Sequence, residues 1–243
     1  MKVTVFNGSP RAENGNTQAM VEEFCRGAEK AGAEVETVFL AKKEIKGCTG
    51  CITCWLKTPG KCVFDDDMRE LLEKVKISDL IVFATPLYVD NVSGLMKNFM
   101  DRFMPLLNAH LETDENGETV HVLNQSSPNI AVISNCGYPE QSHFQVLRLL
   151  FKRIARNMHS EVVAEIYRGG GAVLTDVNLP FFLKPIIWKY NRLLRQAGQE
   201  VVEKGRLGDE LKEQLEKPLV DAKQYTSAAN KFFDAELAKI NKD

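Results

Sequence analysis

"KVTVFNGSPRAENGNTQAM" (2–20) runs from Val3, Thr4, Val5 and Phe6 through a loop of Gly, Ser, Pro and Asn into a helical stripe of Met20, Val21, Phe24, Ala28 and Ala31. The apolar run is short and does not alternate, which suits a strand buried on both faces of a parallel sheet. Two other stretches follow the same plan, "DLIVFATPLY" (79–88) and "NIAVISNCGY" (129–138). Each ends in Gly, Pro or Asn just before a helical pattern. Two alternating or mixed runs, "EVETVFL" (34–40) and "EVVAEIY" (161–167), bring the strands to five.

Helical stripes lie between these runs, over 17–31, 65–76, 93–104 and 142–158. The second opens on Asp65, Asp66 and Asp67, which suit the positive end of a helix. Strands alternating with helices predict an α/β chain with a doubly wound parallel sheet and right-handed crossovers. Five strands predict the flavodoxin-like order 2-1-3-4-5, with ligands outside the carboxyl ends of the strands where the order reverses. On this plan residues 1–174 form the binding domain. It carries a cysteine-rich loop at 47–62 and a polar insertion at 108–127, where Asn116-Gly117 signals a turn. Residues 175–243 form a helical C-terminal extension. Its opening "LPFFLKPIIW" (179–188) is apolar enough to pack on a partner subunit or to fold back on its own domain.

The chain of 243 residues is 44% hydrophobic and has a formal net charge of -2, which gives no reason to expect nucleic acid or an anionic membrane as partner. No window reaches the roughly eighteen apolar residues of a spanning helix. No signal region precedes the first strand, so a cytoplasmic location is expected. In a reducing compartment clustered cysteines favour metal binding or catalysis over structural disulfides.

The loop at 7–20 lacks the Gly-x-Gly-x-x-Gly of a dinucleotide site. It offers Ser9, Asn16 and Thr17 as neutral donors and Arg11 as a cation beside a helix start, a set that suits one terminal phosphate monoester. The competing reading is an ordinary polar turn. "TPLYVDNVSG" (85–94) and "NCGYPEQ" (135–141) follow the third and fourth strands. A phosphate on the first loop and a flat ring between the other two describe FMN. Tyr88 and Tyr138 would line the ring, unless they are half-buried packing residues, and Asn91, Asn135 and the amides around Gly137 would meet its polar edge. The candidate cofactor-binding residues are Ser9, Arg11, Asn16, Thr17, Gln18, Pro86, Leu87, Tyr88, Asn91, Asn135, Cys136, Gly137 and Tyr138. No side chain stands out as an acid or base, so none is assigned as catalytic; flavin chemistry asks the protein for position and electrostatics.

"GCTGCITCWLKTPGKC" (47–62) places Cys48, Cys51, Cys54 and Cys62 in one short stretch. Three thiolates at this repeat can wrap one corner of a cubane, with the fourth returning from a short loop. A Cys₄ zinc site, a metal-free redox dithiol and a vestigial cysteine knot are the rival readings. Cys25 sits on the apolar stripe of the first helix and reads as core.

"GSPRAENGNT", "ATPLYVDNVSGLMKNFMDR" and the cysteine run before "DDDM" resemble the NADPH-dependent FMN reductase group, and within it the iron-sulfur flavoproteins. The resemblance covers residues 1 to about 170. It implies a flavodoxin-like fold, bound FMN, a homodimer or homotetramer, and a [4Fe–4S] cluster at the four cysteines. It also implies electron flow from NAD(P)H or a ferredoxin-like donor to a small acceptor. Without the cluster, the same site reads as an NAD(P)H-dependent flavin or quinone reductase. An electron carrier or a redox sensor without turnover is the reading from another class. True flavodoxins are strongly acidic, whereas this chain balances 31 Lys and Arg against 33 Asp and Glu.

Overall fold

The computed structural model describes residues 1–123, 125–175 and 179–240. Position 124 of the expected insertion, and 176–178 and 241–243 of the expected extension, lie outside the described residues. The core is a parallel sheet of five strands, β1 (Lys2–Asn7), β2 (Glu34–Phe39), β3 (Leu80–Pro86), β6 (Asn129–Asn135) and β7 (Val162–Arg168). Their order is β2-β1-β3-β6-β7, all neighbours parallel. Strands β4 (Leu107–Thr113) and β5 (Thr119–Leu123) form a separate antiparallel hairpin, so the five core strands stand in the expected order 2-1-3-4-5. The three unbroken apolar runs became the central strands, buried on both faces. The alternating and mixed runs became the edges β2 and β7. Periodicity thus separated centre from edge, because only a central parallel strand is covered on both sides.

Helices α1 (Asn16–Lys30), α3 (Met68–Ile77), α4 (Gly94–Asp101) and α5 (Gln145–Asn157) match the four stripes, and a one-turn helix α2 (Thr53–Leu56) lies in the cysteine loop. One apolar layer packs α3, α4 and α5 on the sheet through Leu71, Phe99, Leu147 and Phe151. The other packs α1 through Met20, Val21 and Phe24.

The expected helical extension is present as α6 (Lys184–Lys204), α7 (Asp209–Glu216) and α8 (Ala222–Ile240). Its first helix is not peripheral. Tyr190, Leu194, Ala197 and Val201 of α6 are buried in the same layer as α1, and Leu215 of α7 joins them. Positions 190, 194, 197 and 201 form one helical stripe. The second face of the sheet is therefore completed by residues beyond 174. At the α1–α6 crossing the backbones touch. A Cβ on Gly198 would stand 2.0 Å from the Phe24 carbonyl oxygen, and one on Gly27 would stand 1.9 Å from that of Arg195. At the same crossing, the side chain of Glu23 pairs with that of Arg195.

The opening of the extension stays outside the core, with Phe181, Phe182 and Trp188 exposed. Helix α8 buries none of its residues, though the ring of Tyr225 lies over Gly170. No described helix is long and apolar enough to cross a membrane.

Gly198→Ala forces apart two backbones that have no side chain to yield. Overpacking of this kind costs about 1–3 kcal/mol. A lower urea midpoint with unchanged slope is the expected outcome, and wild-type stability would show that the helices do not cross this closely.

Candidate functional site

The carboxyl ends of β1, β3, β6 and β7 carry four loops that meet around one recess. Its volume is about 160 Å³, and it is lined by Ser9, Arg11, Asn16, Thr17, Pro86, Leu87, Tyr88, Asn135, Cys136, Gly137 and Ala172. A larger concavity of about 660 Å³ runs along α5 and the outer edge of β7. Among the described residues no loop from a strand's carboxyl end lines that groove, and its arginines are tied up, Arg148 by Glu216 and Arg156 by Asp114.

The first loop is built from the buried end of β1. Asn7 Oδ1 accepts from the Ser9 amide at 2.9 Å, and Asn7 Nδ2 donates to Gln18 Oε1 at 2.9 Å. Ser9 Oγ in turn accepts from the Arg11 amide at 3.3 Å. From the neighbouring strand, Ser93 caps α4 and donates its hydroxyl to the Gly8 carbonyl at 2.6 Å. The Ser93 amide is held by Thr85 Oγ1 at 3.0 Å. The loop is closed so tightly that a Cβ on Gly15 would lie 2.6 Å from Ser9 Oγ. Gly15 is also the N-cap of α1 and brings no capping side chain. The first amides of the helix, beside Asn16 and Thr17, are thus left for a ligand to satisfy. The Arg11 guanidinium makes no ion pair with any described residue and sits exposed at the rim.

The second and third loops are tied to the first and to each other. The Leu87 amide donates to the Asn135 carbonyl, and Asn135 Nδ2 donates to Thr17 Oγ1 at 2.8 Å. Tyr88 and Asn91 exchange backbone hydrogen bonds of 2.9 and 3.0 Å around Val89 and Asp90, both at positive φ. A β-branched residue in that region is strained, by roughly 1–2 kcal/mol.

Ten of the thirteen sequence-derived candidates line the recess: Ser9, Arg11, Asn16, Thr17, Pro86, Leu87, Tyr88, Asn135, Cys136 and Gly137. Three do not. Gln18 is buried behind the loop on Asn7, because one step along a helix turns a side chain to another face. Asn91 closes its turn, its side chain accepting from the Val92 amide at 2.8 Å. Tyr138 is exposed and stacks on His143, with ring centroids 4.3 Å apart. Sequence reasoning missed Ala172, which enters from "RGGGAV" (168–173) after β7; a glycine run at a strand's carboxyl end was the available signal. It also missed the braces Asn7 and Ser93.

The four loop cysteines stand in a second neighbourhood, beside the hairpin. Trp55 of α2 donates its indole N–H to the Met104 carbonyl at 2.8 Å and packs against His121 of β5. Cys48 and Cys51 are exposed, Cys62 is partly buried, and Cys54 is buried. Burial pushes the Cys54 thiol up, and the charges of Cys62, Cys51 and Cys48 add to this. Hydrogen bonds from Thr53 and Thr49 pull Cys51 down. Among the described residues no three His, Cys, Asp or Glu side chains are gathered tightly enough to hold a metal ion. The donor set itself, four thiols sharing one electrostatic neighbourhood, is chemically suited to iron or zinc. Beneath the loop lies a buried pair: Asp66 and Arg102 meet through two hydrogen bonds of 2.7 and 3.0 Å, with side chains 0% and 1% exposed. Burial opposes ionisation of Asp66, but Arg102 and the Lys46 amide outweigh it and hold the carboxyl below its usual range. Burial pushes Cys136 up to about 11 and Cys25 up to about 12.

Residues 1–118 match the model of the NADPH-dependent FMN reductase family. An iron-sulfur flavoprotein of Archaeoglobus fulgidus is 44% identical over 105 residues, which are 43% of this chain and 46% of that protein. One of Methanocaldococcus jannaschii is 43% identical over 106 residues, 44% of this chain and 53% of that one. The chain spans about half the length of these relatives. An NAD(P)H:quinone oxidoreductase of Methanothermobacter marburgensis shares the fold with a TM-score of 0.60 at 15% identity, over 83% of this chain and 96% of that one. An FMN-dependent NADH-azoreductase of Bacillus anthracis has a TM-score of 0.55 at 14% identity, over 84% and 98%.

A lowered thiol pKa puts more thiolate in solution at a given pH, and a raised one puts less. At pH 8, in chain freed of metal by a chelator, iodoacetamide is expected to modify Cys51 first and to spare Cys25 and Cys136. Peptide mapping checks the order, and early labelling of Cys136 would contradict its burial.

Proposed function

We propose that this chain is an FMN-dependent oxidoreductase that takes electrons from NAD(P)H or a ferredoxin-like protein and passes them to a small acceptor. The observation that carries the reading is the recess, where three strand ends bring ten independently chosen residues to one place. The phosphate of FMN would lie on the first loop, met by Ser9, Thr17, the uncapped amides of α1 and the Arg11 cation. The ring would lie toward Pro86, Leu87 and Tyr88 on one side and Asn135, Cys136 and Gly137 on the other. FMN, when bound, supplies both one- and two-electron chemistry. The protein's own part is to fix the phosphate, to shape the wall with Leu87 and Tyr88, and to keep Cys136 protonated and unreactive behind it. The NAD(P)H-linked names of the family and of the solved structures support the donor class.

Cys48, Cys51, Cys54 and Cys62 would hold a [4Fe–4S] cluster, which supplies one-electron steps. Support comes from the relatives named iron-sulfur flavoproteins, 44% and 43% identical over 105 and 106 residues. A second reading, an NAD(P)H-dependent flavin or quinone reductase without a cluster, is favoured by the spread of the four thiols between exposed and buried positions. The exposed Phe181, Phe182, Trp188, Phe232 and Phe233 support a homodimer or homotetramer.

Anaerobic purification with FMN, iron, sulfide and zinc assays tests both halves. One FMN per chain, with iron and sulfide each about four, is the expected result; FMN without iron selects the second reading, and absence of FMN removes the first. Arg11→Ala is expected to weaken FMN, with little effect on riboflavin, which lacks the phosphate. A charge-assisted hydrogen bond of about 1.5–3 kcal/mol corresponds to roughly 10- to 100-fold in Kd. Flavin fluorescence titration reads the change, and equal loss for both ligands would move the phosphate away from this loop.

A further inference from the structure

Arg102, the residue after α4, lies beneath the cysteine loop with its side chain almost wholly removed from water. Four of its five N–H groups are accounted for. Nη1 donates to Asp66 Oδ2 and to the Lys46 carbonyl, each at 2.7 Å. Nη2 donates to Asp66 Oδ1 at 3.0 Å and to Cys62 Sγ at 3.3 Å. Asp66 is itself fixed, its oxygens accepting the amides of Lys46 at 3.0 Å and Met68 at 3.2 Å. Phe64 covers the assembly, with the guanidinium carbon 5.1 Å from its ring centre.

A buried ion pair is weak evidence for stability, since an apolar pair of similar volume often serves as well. The placement of this one has another consequence. The carboxylate takes two prongs of a rigid fork and the carbonyl a third, so the remaining Nη2 proton is directed at one sulfur. A lysine has no such fork and cannot reach three partners in fixed directions. Cys51, by contrast, takes its hydrogen bonds from threonines and backbone.

We infer that Arg102 is a positioning residue that sets the reduction potential of a cluster held at the four cysteines, by fixing a guanidinium N–H on Cys62 Sγ while Asp66 holds the fork in place. This rests on the cluster reading above. A cluster at these cysteines would supply one-electron chemistry, and its reduced state would place more negative charge on the sulfurs. A hydrogen bond and a cation at a sulfur stabilise that reduced state and raise the potential, and burial keeps the interaction from being screened. Asp66 works in the opposite direction through its charge.

The test uses the full chain, reconstituted anaerobically with ferrous iron and sulfide, and reads the cluster's midpoint by a dye-mediated titration. Arg102→Lys is expected to lower the midpoint so that, at the wild-type value, the reduced fraction falls about tenfold relative to the oxidised, or about 59 mV for one electron. Asp66→Asn, which keeps an acceptor for the fork but removes the negative charge, is expected to raise it. Damage to the loop alone would not give opposite signs. Midpoints equal to wild type, or moved in the same direction, overturn the inference while leaving the cluster reading intact. Loss of iron from both variants with FMN retained overturns it too, by reducing Arg102 to a builder of the loop. Wild-type chain that takes up no iron removes the cluster reading and this inference with it.

Discussion

Asn7 ends β1, a strand buried from Val3 onward, and is itself fully buried. Its amide group works in both directions, holding the Ser9 backbone with its oxygen and Gln18 of α1 with its nitrogen. Strand, loop and helix are thereby fixed to one another at the point where β1 gives way to the loop. A buried amide of this kind must be satisfied or it costs about 1–3 kcal/mol, so the loop has little freedom to open. The uncapped start of α1 depends on that closure. Ser9 occupies the space where a side chain at position 15 would stand, and the helix amides are left facing the recess.

Completion of the second sheet face by α6 bears on how the chain is divided. A domain ending at 174 would leave α1 with an open side where Tyr190, Leu194, Ala197 and Val201 now pack. We propose instead that the folding unit extends through α7, since Leu215 is buried and the Leu207 amide bonds to the Val163 carbonyl of the edge strand β7. What lies outside that unit is α8, whose apolar residues Phe232, Phe233 and Leu237 face solvent. The segment after 174 therefore has two physical roles, a core helix first and a surface helix after it.

The sheet was legible because a parallel strand covered on both faces has a pattern of its own, and the edges differed from it as coverage requires. The recess was legible because strand ends and the switch in strand order locate it before any side chain is considered. The misses have a common cause. Whether Gln18, Asn91 or Tyr138 points into a site depends on local backbone turns, and the tight Tyr88–Asn91 turn carries no glycine to announce it. Ala172 was hidden because a small residue contributes a wall, not a functional group. The α6 stripe was overshadowed by the more apolar "LPFFLKPIIW" ahead of it, although moderate apolarity at helical spacing, with Gly198 in the middle, is what a close helix crossing needs.

The two neighbourhoods are joined through α4. At its start, Ser93 braces the first loop through the Gly8 carbonyl; at its end, Arg102 anchors the cysteine loop through Asp66 and the Lys46 carbonyl. Along its buried face, Met96 and Phe99 pack under the sheet, with Phe6 of β1 against Phe99 at 4.5 Å between ring centres. Asn98 adds a hydrogen bond of 2.6 Å to the Ile45 carbonyl. A helix of eight residues spans about 12 Å, so a rigid, well-packed element holds the two braces at its ends a fixed length apart. Neither site needs the other for its local hydrogen bonds, yet both are built on the same helix, and a shift of α4 would move both at once. On the proposed reading, that shared support would hold the flavin and the cluster at a fixed distance from each other. In "SGLMKNFMDR" the buried positions are the cap Ser93, the cation Arg102, and Met96 and Phe99 between them, while Gly94, Lys97 and Asp101 face solvent.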